Sequence, residues 1–168
     1  MKKKFLCTVS LVMLMVSLAF TGCSNSAPRE HDAETEAKLI GKWEWSATQM
    51  EDGVLGTFHT TEEYCEDMTY SFVTKCKSDG IWLFTVTGSG TWSASKDVIT
   101  VEYDKKSIEF KVNTSFFDQS DRKELEEDFV EELRKEDYID NTPINSEITD
   151  SFESEDEEFG VITYYRIK

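Results

Sequence analysis

From Leu39 onward the apolar residues recur mainly at every second position, the period of a strand with one buried face. Lys42-Trp43-Glu44-Trp45-Ser46-Ala47 alternates polar and apolar, which predicts a first strand. Tyr64, Met68, Tyr70 and Phe72 share a parity and predict a long second strand over 60–73. A turn at Ser78-Asp79-Gly80 leads into a third strand over 81–87, and Gly88-Ser89-Gly90 reads as a further turn into Thr91-Trp92-Ser93-Ala94. Val98 to Tyr103 and Ser107 to Thr114 follow, the second with Ile108, Phe110 and Val112 on one face. The period then changes to helical. Leu125, Phe129, Val130 and Leu133 fall on one face, Asp121 and Glu124 offer a capping-box start, and Pro143 blocks extension, so one amphipathic helix is expected over 120–136. A weak strand over 144–149, an acidic hairpin loop from Glu153 to Glu158, and a last strand over 159–167 complete the pattern. Eight antiparallel strands in meander order predict a mainly β protein, and closure into an up-and-down barrel removes the free edges that invite aggregation.

Composition sharpens this picture. The 168 residues carry 34 Asp+Glu against 18 Lys+Arg, a formal charge of −16. So acidic a surface repels nucleic-acid phosphates and anionic lipid headgroups, and nucleic acid is excluded as a partner. With 39% apolar and 12% aromatic residues the chain nevertheless has the material for one folded core.

The first residues form a separate unit. Lys2, Lys3 and Lys4 precede a mostly apolar run from Phe5 to Phe20, long enough for a signal sequence and short for a membrane span. It ends in Ala19-Phe20-Thr21-Gly22-Cys23, which resembles the lipobox of bacterial lipoproteins. That resemblance implies cleavage after residue 22, lipidation of Cys23, and anchoring in the bacterial envelope through acyl chains. Ser24 stands where Asp would be the usual inner-membrane retention signal, so the outer membrane is the expected location. Removing residues 1–22 takes away three Lys and no acid, which leaves a formal −19. Residues 23–37 read as a flexible tether and 38–168 as the barrel domain. Cys65 and Cys76 then remain in a compartment that permits a disulfide. On one extended strand they would lie roughly 30 Å apart on opposite faces, whereas a bend near Glu66-Asp67 would leave a bridge open.

Gly41-Lys42-Trp43 on the first strand of an eight-stranded meander resembles the lipocalin family, and more closely its lipoprotein members, with Gly90-Thr91-Trp92 as an internal Gly-Thr-Trp. The resemblance spans residues 39–168. It implies that Trp43 plugs the closed end of the barrel and that Arg166, on the last strand, covers its ring in a cation–π contact. Departures from the family pattern are the helix between the sixth and seventh strands and a chain that ends on its last strand.

The sequence offers neither His-Glu-x-x-His, Cys-x-x-Cys nor a Ser/His/Asp set, so no enzyme activity, metal or cofactor is expected. The acids of the helix read as a solvated face. Many large rings share the inward parity, which favours a filled barrel over a sizeable cavity. Two functions remain. One is a small apolar ligand at the barrel mouth, held by Trp45, Val54, Leu55, Phe58, Tyr70, Phe84 and Trp92 under a mobile 53–58 loop. The other is a filled barrel presenting its acidic helix and the 153–158 loop to a basic envelope protein.

Overall fold

The computed structural model describes residues 31–51, 54–113, 115, 119–133, 139–156 and 159–168. The expected signal segment, Cys23 and most of the expected tether lie outside this set, as do Gly53, Glu157 and Glu158. Among the described residues nine strands and two helices follow in chain order: α1 (Ala33–Leu39), β1 (Gly41–Glu51), β2 (Val54–Tyr64), β3 (Thr69–Ser78), β4 (Ile81–Ala94), β5 (Val98–Tyr103), β6 (Glu109–Val112), α2 (Gln119–Leu133), β7 (Ile139–Pro143), β8 (Ser151–Asp156) and β9 (Gly160–Ile167). All strand pairs are antiparallel. Around the sheet the order is β7-β5-β4-β3-β2-β1-β9-β8, with β6 as an extra partner of β4. Because β7 and β8 also meet, these eight strands form a nearly closed up-and-down barrel, and the expected fold class holds.

The core follows the period-two rule. Trp43 on β1, Phe58, Thr60, Glu62 and Tyr64 on β2, and Tyr70, Phe72 and Cys76 on β3 all face inward and are buried. The predicted long strand over 60–73 is corrected to two strands. The chain reverses at Cys65–Met68, where Cys65 N–H donates to Thr69 O (3.0 Å), Met68 N–H donates to Cys65 O (3.0 Å), and Met68 adopts a φ of 63°. Tyr64, Met68, Tyr70 and Phe72 keep one parity on both sides of this reversal, interrupted only at Glu66, which is why it reads as one strand. The same reversal settles the cysteines, which are free. Cys65 comes to lie opposite Thr69, whereas Cys76 pairs with Phe58, seven residues back along β2 and roughly 23 Å away at strand rise.

The turn expected at Gly88-Ser89-Gly90 is also corrected. These residues lie inside the single 14-residue strand β4, whose first part pairs with β6 and whose last part pairs with β5. Here the glycines serve close approach. A Cβ on Gly90 would sit 2.1 Å from Glu102 O and one on Gly88 would sit 2.6 Å from the Phe72 ring.

Of the expected 53–58 loop, residues 54–58 are strand and not a lid over the mouth, because Val54 begins β2 and Leu55 and Phe58 pair with Met50 and Ala47 of β1. The last part of the expected tether is helix α1, capped at Asp32, whose carboxylate accepts the Thr35 N–H at 2.8 Å. α2 starts at Gln119, two residues before the expected cap at Asp121. The weak strand expected over 144–149 is replaced by β7 at 139–143, and the acidic hairpin loop is largely strand β8, in which Phe152 and Ser154 are buried while Glu153 and Glu155 face out. A strand with one large apolar residue among acids reads as a loop because charge masks its alternation.

Candidate functional site

One end of the barrel is closed around Trp43. β1 places its ring fully inside, and the register sets Trp43 directly opposite Arg166 of β9. The guanidinium carbon of Arg166 lies 4.2 Å from the ring centroid, a cation–π distance. Arg166 Nη1 donates to Ile40 O at 2.8 Å and Nη2 to Lys38 O, so the same side chain satisfies carbonyls at the end of α1. Trp43 Nε1 donates to Leu39 O (2.7 Å), and the Phe152 ring meets the indole edge-on at 5.0 Å. Across the same end, Ala94 O accepts from the Asp32 N–H (2.7 Å) and ties α1 to the last residue of β4.

The middle of the barrel holds polar groups. Glu62 is 8% exposed and faces inward from β2. Its Oε2 accepts the Tyr64 hydroxyl at 2.6 Å, its Oε1 accepts the Trp45 indole N–H at 2.9 Å, and the Tyr70 hydroxyl is a third donor. Burial holds its carboxyl above the usual range despite these donors. Tyr70 is hydrogen bonded in turn to Tyr103, and Tyr103 to Asp140 of β7, so a chain of side chains joins the two inner carboxyls. Burial, then the charges of Glu62 and Asp156, push the Asp140 carboxyl up to about 7. Tyr64, Tyr70, Tyr103 and Tyr164 are raised well above 10, first by burial, and stay protonated donors. Burial also pushes the Cys76 thiol up to about 12, which leaves it an inert core group.

Beyond this polar layer lies a shelf of rings. Phe58 packs on Phe84 (6.3 Å between centroids) and on Phe159 (5.4 Å), and Phe84 packs on Phe110 (5.4 Å). α2 covers it. Phe129 stacks on Phe110 at 3.9 Å, Leu125 is buried beside it, and Glu126 Oε1 accepts the Val112 N–H at 3.1 Å. The principal contact of α2 is with β6, which among the described residues pairs with β4 alone. An open groove of about 680 Å³ runs between α2 and β6, floored by Ile108, Phe110 and Val130 and rimmed by Glu109, Glu126, Glu127 and Glu131, with Lys111 as its cation.

The residues expected to hold an apolar ligand are therefore divided. Phe58 and Phe84 belong to the ring shelf, Trp45 and Tyr70 to the polar layer, and Trp92 packs on Tyr64 (5.1 Å) with its indole N–H donating to Cys65 O. Leu55 is 45% exposed, on the outer face. Sequence reasoning passed over Glu62 and Asp140. For Glu62 a signal exists, since it shares the parity of Phe58, Thr60 and Tyr64; Asp140 has none, because its strand carries one large apolar residue, Ile139. No family model matches the chain, and no curated protein matches it either.

Proposed function

We propose that the protein is a lipid-anchored lipoprotein of the bacterial cell envelope whose lipocalin-like barrel takes a small, largely apolar ligand between α2 and the ring shelf. One observation carries this reading. A helix packed mainly on a single strand stacks Phe129 on Phe110, the near end of the contiguous row Phe58, Phe84 and Phe110, so lifting it bares an apolar surface without breaking the barrel wall. The polar chain beneath the shelf gives such a ligand a place for one hydroxyl or amide group.

An environment-sensitive apolar dye should bind the chain that begins at residue 24 and quench its tryptophan emission. Phe129→Ala removes the helix's stacking contact and should change dye affinity several-fold, whereas Leu55→Ser, on the outer face, should leave it unaltered. Absence of dye binding in both the parent and Phe129→Ala would sink the ligand reading. Anchoring is tested separately. Cys23→Ala should leave the membrane fraction and lose labelled fatty acid, and an acylated mutant would refute the lipobox assignment.

A second reading has its own observation in the groove between α2 and β6. Four glutamates around an apolar floor suit a basic segment of another envelope protein. Under that reading a cationic peptide binds in a salt-dependent manner, and Glu126→Gln with Glu127→Gln weakens it while dye binding is absent.

A further inference from the structure

The barrel wall has one place where neighbouring strands meet without a ladder. β7 pairs with β5, β8 pairs with β9, and β7 and β8 face each other across a seam. The seam is stitched where the chain leaves β7: Asn145 N–H donates to Glu153 O (2.8 Å) and Glu153 N–H donates to Ser146 Oγ (2.8 Å). Among the described residues no ladder continues from there along β7. Asp140 stands on this strand. Its register partner Val101 is buried in the core, and directly opposed residues of an antiparallel pair point to the same face, so Asp140 points inward. The groups acting on its carboxyl come from the surrounding strands: Glu62 from β2, Asp156 from β8, Tyr103 from β5 and Tyr164 from β9. Two are acids and two are phenols.

We propose that the β7–β8 seam is a proton-operated gate into the barrel, closed while the Asp140 carboxyl carries its proton and loosened when that proton leaves. The reason lies in what each state asks of β7. A neutral Asp140 remains inside, hydrogen bonded to Tyr103. An anion on this half-buried side chain faces Glu62 and Asp156, and it reaches more water most cheaply by drawing β7 away from the side where no ladder holds it. Burial and those two acids raise the proton affinity of Asp140 into the neutral range, so the change falls at about pH 7. The gate concerns the wall and stands whether or not the ring shelf binds a ligand.

Hydrogen–deuterium exchange on the full chain reads the gate directly. After correction for intrinsic rates, protection of the amides of residues 139–143 should fall about tenfold or more between about pH 6 and pH 8, while β2 and β3 keep theirs. Asp140→Asn should hold the pH 6 protection at both values. Asp156→Asn should keep the transition and move its midpoint to lower pH, because one of the repelling charges is gone. A wild-type β7 whose protection does not change with pH overturns the proposal, as does an Asp140→Asn protein that loosens like the wild type. If Asp140→Asn does not fold, the Asp156→Asn midpoint decides, and an unmoved midpoint overturns the mechanism.

Discussion

Trp43 gathers several of the fold's constraints in one side chain. Its ring is fully buried, its N–H is satisfied by Leu39 O, one face carries Arg166, and Phe152 meets it edge-on. Replacement by Ala removes a large ring and leaves the guanidinium without its platform, so Trp43→Ala should cost about 3 to 5 kcal/mol in denaturant unfolding. Glu127 is the control. It is an exposed helix residue whose partner, Lys123, is also exposed, and Glu127→Ala should stay within about 0.5 kcal/mol. Equal small losses would remove Trp43 from its central place. The pairing of Trp43 with Arg166 was legible only through the lipocalin resemblance of Gly41-Lys42-Trp43 and the place of Arg166 on the last strand. Glu62 was harder to read, since an acid on an inward parity looks like an interruption until Trp45, Tyr64 and Tyr70 are seen to surround it.

At the scale of elements, β4 organises the molecule. It is long because Gly88 and Gly90 admit neighbours that a side chain would push away, and it therefore serves β3 on one side and both β5 and β6 on the other. Gly90→Ala should then be the more damaging of two alanine substitutions. Its Cβ meets the backbone of Glu102 and Tyr103, which cannot rotate away, and the cost should be at least about 2 kcal/mol. Gly88→Ala meets the Phe72 ring, which has some freedom to tilt, and should cost less. Thermal unfolding of the two variants checks the order, and a reversed order would mean that β5 adjusts more readily than Phe72. The same strand shows why element boundaries were only partly legible. Gly-Ser-Gly is a turn signal in local terms, and the tertiary need for close backbone approach outweighed it. Conversely, the reversal at Cys65–Met68 lacks glycine, and its Asp67 side chain builds the turn instead by accepting the Thr69 N–H and hydroxyl. α2 was placed within a few residues because a 3.6-residue period survives even when most of the helix is charged.

At the scale of the whole molecule, charge and burial act in the same direction. The part expected to remain after cleavage carries a formal −19, so self-repulsion disfavours the compact state near neutrality and salt should relieve it. The two inner carboxyls add to this. Glu62 and Asp140 both bind protons more tightly in the folded barrel than in an unfolded chain, so their contribution is fully present below the unfolded value of about 4. It is lost as pH rises, for Asp140 through about 7, and is flat above that. Asp32 and Asp67 work in the opposite sense, since the backbone N–H of Thr35 and the hydroxyl of Thr69 hold them low; their contribution is present above about 4 and is lost as pH falls further. The urea midpoint should therefore be higher at about pH 5 than at about pH 8, and sodium chloride should raise it more at the higher pH. Asp140→Asn should lift the midpoint at about pH 8 and narrow the difference between the two pH values, because a neutral amide replaces a half-buried anion that faces Glu62 and Asp156. A wild-type midpoint that rises from about pH 5 to about pH 8 would overturn this account, because the inner carboxyls lose stability across that window and the contribution of Asp32 and Asp67 is already complete below it.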